Sequence, residues 1–205
     1  MKLYLVTEGD PTEHVLSEVA AILQGGGVAI LPTETIYGFH AAATNDSAIR
    51  KIDVAKNRDR GKPFVVLCAS IDQAKNAGVV FTADNERRLK AIWPAPLTAL
   101  LPTREKIAAA RNREVVAVRI STLSWLRRLC EIAGPIASSS VNRSGEDAIS
   151  STKEVSEELL TCVDAIVDTG RIEGQSSTIV DLTQEPPKVV REGAFSFSQK
   201  LWKRL

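Results

Sequence analysis

The sequence lacks the features that mark secreted, membrane-spanning and metal-binding chains. No stretch approaches the roughly 18 apolar residues of a membrane helix, and the N-terminus turns acidic before a signal-type apolar run could form. Three cysteines, Cys68, Cys130 and Cys162, lie far apart in apolar runs without metal-site spacing, so we expect buried reduced thiols in a cytoplasmic protein. Two histidines, His14 and His40, have no ligand partner at suitable spacing, so no protein metal ligand is expected.

The sequence has neither the net positive charge typical of a nucleic-acid-binding protein nor a glycine-rich loop typical of a nucleotide-binding one. The 26 Lys and Arg against 25 Asp and Glu leave a net charge of +1, so any site for a polyanion must be local. The patterns GxGxxG and GxxxxGK[ST] are absent, and the three glycines at 25–27 come before a strand, where they end a helix.

What the sequence does contain is the composition of an ordinary folded chain. Its 205 residues, 44% hydrophobic and 25% charged, predict one domain over residues 1–205. Helical and strand periodicities alternate, with a helix cap at Asp10-Pro11 and another at Ser151 or Thr152. Strands are predicted near 28–32, 64–68, 97–101, 115–120, 136–140, 165–168, 178–182 and 189–191. The last three lack helices long enough for parallel crossovers, which favours an α/β fold with a mixed sheet.

Four polar segments adjoin these strands, at 31–38, 56–63, 137–145, and 174–178 with 190–193. Positive charge is concentrated near the second, because residues 50–63 contain two acidic residues and six basic ones, Arg50, Lys51, Lys56, Arg58, Arg60 and Lys62. Arginine forks and lysine ammonium groups suit phosphate oxygens. Each segment alone could be an ordinary turn or a solvated basic surface.

Short motifs follow one another in a fixed order: PTET-I-YG at 32–38, KxR at Lys56 and Arg58, WPxPLT at 93–98, VAVR at 116–119, SxN at Ser140 and Asn142, STxVD at 177–181, and VREG at 190–193. Their order and spacing resemble the YrdC/TsaC family of L-threonylcarbamoyladenylate synthases, from about residue 11 to residue 193. KxR and SxN are short and nonspecific individually. The ordered set makes coincidence very improbable.

The resemblance implies a YrdC-like twisted open mixed sheet with helices and a deep positively charged cavity, in the short single-domain form. It also implies an enzyme that uses L-threonine, bicarbonate and ATP with a divalent cation, expected to be Mg²⁺. The products are threonylcarbamoyl-AMP and pyrophosphate. A tRNA-modifying threonylcarbamoyl transferase complex would use the adenylate, and this chain could itself contact RNA or tRNA.

Residue roles carry over by motif. The resemblance assigns catalysis and phosphate binding to Lys56 and Arg58. Further ATP contacts would come from Lys62, Ser140, Asn142, Ser150 and Arg191, and threonine contacts from Thr35, Leu67, Arg119 and Ser177. The chain departs from the family at Asp59 and Lys62, where Pro and Asn are common, at Gln175 in GQSST, and at Leu67, where two-domain relatives often carry His.

Two other functions are compatible with this kind of domain. A double-stranded RNA or tRNA-binding module is one, although a net charge of +1 argues against RNA as the main ligand. A carbamoyl-adenylating enzyme that works without threonine is the other, but such proteins carry acylphosphatase and zinc-finger regions that this sequence lacks. No membrane partner is expected.

Overall fold

The computed structural model describes residues 1–59 and 61–205, and within these ranges it contains ten strands and seven α-helices. The strands are β1 (Lys2–Leu5), β2 (Ala29–Leu31), β3 (Gly38–Ala42), β4 (Val65–Leu67), β5 (Leu97–Pro102), β6 (Val115–Arg119), β7 (Ile136–Ser140), β8 (Ala165–Asp168), β9 (Thr178–Asp181) and β10 (Lys188–Arg191). The helices are α1 (Glu13–Gln24), α2 (Asp46–Ala55), α3 (Ile71–Asn76), α4 (Ala83–Ile92), α5 (Ser124–Ala133), α6 (Glu157–Leu160) and α7 (Gln199–Arg204). Short 3-10 turns occupy Ala108–Ala110 and Thr152–Glu154.

All ten strands belong to one sheet in the order β1-β8-β2-β3-β7-β4-β6-β5-β9-β10. Four pairs are parallel (β1 with β8, β2 with β8, β4 with β6, β5 with β9) and the others are antiparallel, so the predicted mixed sheet is confirmed. The sequence predicted that the last three strands are too close in sequence for parallel crossovers. This is true of β9 and β10, which are antiparallel neighbours. Strand β8 lies near the other edge, parallel to β1 and β2.

Several element boundaries differ from the sequence expectation. Helix α1 is capped by Thr12, whose Oγ1 accepts the N–H of Val15 at 3.4 Å, and not by Asp10. The helix expected near residue 151 divides into a 3-10 turn and the four-residue α6. Strands β1 and β3 and helix α7 were not predicted from the sequence. Strand β3 is buried along most of its length and therefore shows no polar alternation. No helix in the described part of the chain is long and apolar enough to cross a membrane.

The two faces of the sheet carry separate apolar clusters. On one face α1 and α5 cover side chains such as Ala29, Leu67 and Ile136. Helices α2, α3, α4, α6 and α7 contribute to the larger cluster, which includes strand residues such as Phe39 and Val66. Cys68 and Cys130 are buried free thiols, as expected, whereas Cys162 is half-buried. Helices α1 and α5 cover only part of their face, and the remainder contains a cavity.

Trp202 provides a test of how firmly the C-terminal helix is docked. It is 2% exposed, with its ring centroid 5.8 Å from that of Phe197 and the Arg88 guanidinium 5.1 Å from its ring. Trp202→Ala should therefore lower the free energy of unfolding by about 3–5 kcal/mol, the usual result of emptying a buried aromatic site. Urea denaturation followed by circular dichroism measures this loss. The exposed Lys203→Ala should change stability by no more than about 0.5 kcal/mol, and equal losses would contradict the docking.

Candidate active site

A cavity of about 250 Å³ lies on the sheet face that α1 and α5 leave uncovered. Its lining brings together the polar segments that the sequence analysis selected. Three guanidinium groups line it, those of Arg58, Arg119 and Arg191. Residues that bear hydroxyl groups make up much of the rest of the wall: Thr33, Thr35, Ser138, Ser139, Ser140, Ser176 and Ser177.

The three arginines differ in depth. Arg119 is 4% exposed, Arg58 is half-buried and Arg191 is exposed. Burial lowers the pKa of each guanidinium, and the charge of Arg119 further lowers the pKa of Arg191. Among the described residues that line the cavity there is no carboxylate; Glu34 lies behind Arg119, with Oε1 3.7 Å from its Nε. Such a lining favours an anionic ligand.

The turn after β2 holds Thr35 in one orientation. Thr33 Oγ1 donates to the Ile36 carbonyl at 2.7 Å, so the 2.8 Å bond between the two threonine hydroxyls has Thr35 as its donor. Thr35 Oγ1 also accepts from Arg119 at 3.1 Å. A Cβ on Gly174 would lie 2.1 Å from the Thr35 carbonyl oxygen, so the GQSST segment packs directly on this turn. Thr35 therefore has one acceptor position left for a ligand.

On the opposite wall, Arg191 and Ser177 form a second fixed group. Arg191 donates to the Ser177 carbonyl through Nη2 at 2.7 Å and through Nε at 3.2 Å. Ser177 Oγ bonds to Thr98 Oγ1 at 2.8 Å. A Cβ on Gly193 would lie 2.1 Å from the Ser176 carbonyl oxygen, so the VREG segment needs glycine to reach this loop.

Lys56 is buried behind the cavity wall and holds the SxN segment. Its Nζ donates to the Ser140 carbonyl, to the Asn142 carbonyl at 2.7 Å and to Asn142 Oδ1 at 2.8 Å. Burial, with a smaller contribution from the Arg58 charge, lowers the pKa of Lys56 to about 7. The structure thus brings Ser140 to the cavity and places Lys56 and Asn142 behind it.

The remaining predicted residues lie at different distances from the cavity. Ser150 lines an adjoining cavity of about 320 Å³ that shares Ile36 and Ser176 with the first. The Lys62 side chain is exposed. Leu67 packs in the cluster under α1 and α5, and Val65, two residues earlier on the same strand face, lines the cavity instead. Arg60 lies outside the described residues.

Sequence reasoning missed a polar pair at the cavity floor. Ser138 lines the cavity, and its Oγ lies 3.2 Å from Nε2 of the fully buried His40 on the neighbouring strand β3. Strand alternation puts Ser138 on the same face as Ser140, which is the signal that could have found it. Because strand β3 was not predicted, nothing in the sequence indicated that His40 would lie beside Ser138.

A protein-family comparison identifies the class to which this fold and cavity belong. The Sua5/YciO/YrdC family model, described as "Telomere recombination", matches residues 21–193. The chain therefore belongs to the Sua5/YciO/YrdC family.

Curated relatives carry a specific name. A Pyrococcus abyssi protein named threonylcarbamoyl-AMP synthase is 32% identical over 184 residues, which are 88% of this chain and 54% of the relative. A Bacillus subtilis protein of the same name is 31% identical over 90% of this chain and 55% of its own length. This chain thus spans about half the length of both. A Nitrosococcus oceani protein, also so named, is 32% identical over 77% of this chain and 88% of its own length.

Solved structures share the fold. P. abyssi Sua5 complexed with L-threonine has a TM-score of 0.86 at 31% identity, covering 94% of this chain and 58% of that one. Escherichia coli YciO has a TM-score of 0.85 at 22% identity, covering 97% and 99%, and shows the fold alone.

His40 should make stability depend on pH. Burial lowers its pKa from 6.5 to about 3, so below pH 6.5 the unfolded chain binds a proton that the folded chain does not. Its contribution is complete above pH 6.5 and is lost as the pH falls toward 3. Each pH unit in this window changes the free energy of unfolding by at most about 1.4 kcal/mol. His40→Gln should flatten the stability curve between pH 6.5 and 4, whereas His14→Gln, at an exposed position of α1, serves as the control. Identical slopes in His40→Gln and the parent would contradict a buried neutral imidazole.

Proposed function

We propose that this chain is an L-threonylcarbamoyladenylate synthase, which makes threonylcarbamoyl-AMP and pyrophosphate from L-threonine, bicarbonate and ATP. The observation that carries the proposal is the convergence of Arg58, Arg119 and Arg191 on one cavity with fixed hydroxyl groups. The curated relatives named threonylcarbamoyl-AMP synthase support it.

The reaction suits a site without a protein nucleophile. The threonine amine and bicarbonate form a carbamate with loss of water, and a carbamate oxygen then attacks the α-phosphorus of ATP. The bond between the α-phosphorus and the bridging oxygen breaks, and pyrophosphate leaves with the electron pair. The protein must orient these anions and offset their charge, which fixed guanidinium and hydroxyl donors do.

The difference in depth among the arginines suggests where each substrate binds. A small amino acid suits the buried end, where Arg119 can donate to its carboxylate and Thr35 Oγ1 can accept from its ammonium group or hydroxyl. Ser177 would face the same ligand from the other wall. A 31% identical relative, P. abyssi Sua5, has been solved in complex with L-threonine, which supports threonine as a ligand.

The nucleotide would occupy the outer part and the adjoining cavity. Arg58 and Arg191 lie closer to solvent than Arg119, where they can meet phosphate oxygens, and Ser140 has its hydroxyl on the same wall. The adjoining cavity offers Ser150 together with apolar Ile36, Ile149 and Ile172, a surface suited to the base and ribose. Lys56 Nζ donates to the Ser140 carbonyl and Ser140 Oγ donates to Asn142 Oδ1, so Lys56 and Asn142 would act by holding Ser140 in place.

The divalent cation would arrive with the triphosphate. Mg²⁺ commonly keeps several waters and binds substrate phosphates with one or two protein carboxylates. Residues 1–59 and 61–205 contain no group of three or more His, Cys, Asp or Glu side chains placed to hold a metal ion. The adenylate would then serve a tRNA-modifying threonylcarbamoyl transferase complex. Direct tRNA contact and cytoplasmic location stay predictions.

Arg58→Ala should slow pyrophosphate release with threonine, bicarbonate and ATP by roughly 100- to 1000-fold, the scale of losing one oriented donor in a transition state. Arg50→Ala is the matched control, because Arg50 lies exposed on α2 in the same basic segment. It should keep the parental rate. A parental rate in Arg58→Ala would remove Arg58 from the phosphate site.

Substrate specificity separates the proposed function from its alternatives. Serine lacks one methyl group, worth about 1–3 kcal/mol in a fitted pocket, and should be a poor substrate. Valine lacks the hydroxyl and should be nearly inert, because polar groups such as Thr35 and Ser177 would stay unpaired. Pyrophosphate release is measured with threonine, serine, valine and no amino acid. Equal release with valine would rule out a hydroxyl-reading pocket. Release with ammonium bicarbonate in place of an amino acid, a mixture that forms carbamate with loss of water, would favour a carbamoyl-adenylating enzyme. No release in any of these mixtures would favour an RNA-binding module.

A further inference from the structure

Arg111 connects three separate segments beside the cavity. It directly follows the 3-10 turn Ala108–Ala110, and its Nη2 donates to both carboxylate oxygens of Asp53 on α2, at 2.6 and 2.7 Å. Its Nε donates to the Lys62 carbonyl at 3.2 Å. Asp53 is 2% exposed, so this is a largely buried ion pair that also fixes a loop. A guanidinium can make both sets of bonds at once because its donors diverge from a rigid plane, which an ammonium group cannot reproduce.

Arg111 and Arg58 share an aromatic ring. The guanidinium carbons of Arg58 and Arg111 lie 5.0 and 5.1 Å from the ring centroid of Phe64, which is 1% exposed. The Phe64 N–H donates to the Ala109 carbonyl at 2.8 Å, so the ring is tied to the segment that carries Arg111. Burial has the largest effect on the pKa of Arg58 and lowers it. The charge of Asp53 raises the pKa of Arg58 and the charge of Arg111 lowers it, so Asp53 offsets the repulsion between the two cations.

The loop that Arg111 fixes also holds Arg58. Arg58 Nη2 donates to the Pro63 carbonyl at 2.9 Å and lies 3.5 Å from the Lys62 carbonyl, the same oxygen that accepts from Arg111. We propose that Arg111 is a positioning residue that orients Arg58 toward the phosphates of the ligand, through the Lys62 carbonyl and the Phe64 ring. This inference rests on the proposed function only for the phosphate-binding role of Arg58.

A double-mutant cycle tests the coupling between the two arginines. The probe is inorganic tripolyphosphate, whose Kd is measured by calorimetry for the parent, Arg58→Ala, Arg111→Lys and the double variant. Lysine keeps a positive charge beside Asp53, because an unpaired buried carboxylate could unfold the chain. We expect Arg111→Lys to weaken binding roughly tenfold in the parent, a typical coupling between residues of one hydrogen-bond network, and to have no further effect once Arg58 is alanine.

Arg113→Lys provides the matched control. Arg113 is exposed and donates to the Gly61 carbonyl at 2.8 Å, so it contacts the same loop from outside the Phe64 stack. It should leave the Kd within about twofold of the parent, and thermal unfolding of each variant sets an assay temperature at which all are folded. Parental affinity in Arg111→Lys would overturn the inference, as would an equal loss in the presence and absence of Arg58, which marks a purely structural role.

The same experiment distinguishes this inference from the proposed function. The cycle could show the expected coupling between Arg58 and Arg111 while the parent releases no pyrophosphate from threonine, bicarbonate and ATP. That result would refute the proposed synthase activity and leave the role of Arg111 intact. A parent that does not bind tripolyphosphate would overturn the phosphate role of Arg58 and the inference with it.

Discussion

Gathering positive charge in a partly buried cavity is the constraint on which the rest of the site depends. A buried cation is costly unless nearby groups neutralise or hydrogen-bond it. Each arginine therefore has its own anchor: Arg58 the Pro63 carbonyl, Arg119 the Thr35 hydroxyl with Glu34 close by, and Arg191 the Ser177 carbonyl. These anchors use only some of the donors of each guanidinium, so the remaining donors are available to an anion.

The position of the cavity follows from incomplete coverage of one sheet face. Helices α1 and α5 bury an apolar part of that face, and beyond them the cavity is lined mainly by arginine, serine and threonine residues. Small residues let the backbone of the surrounding loops approach closely, as Gly174 does at the Thr35 carbonyl and Gly193 at the Ser176 carbonyl. The apolar cluster under α1 and α5 and the polar cavity thus lie on the same face of the sheet. The cavity occupies the part that the two helices do not cover.

Local patterns predicted the class of fold, and the family resemblance selected six residues that line the cavity, Thr35, Arg58, Arg119, Ser140, Ser177 and Arg191. All of them except Arg119, which ends the apolar strand β6, lie in the polar segments that adjoin the strands. The resemblance also selected Leu67 and Lys56, which do not line this cavity. Leu67 faces the cavity side of the sheet but sits under α1 and α5, and the Lys56 side chain turns toward carbonyl oxygens of residues more than 80 positions away. Neither the position of Leu67 nor the orientation of the Lys56 side chain can be read from the order of residues in the sequence.

The sequence by itself determined the alternation of helices and strands, the mixed sheet and the ordered motifs, because periodicity, caps and turn residues act over a few neighbouring positions. Only the tertiary structure decided that β8 lies between β1 and β2, far in the sheet from β9 and β10. It also decided that His40 lies beside Ser138 and that Arg111 contacts Asp53 and Phe64. These contacts depend on strand order and on pairing between distant segments. Many pairings satisfy the same local pattern, and packing of the whole sheet selects among them.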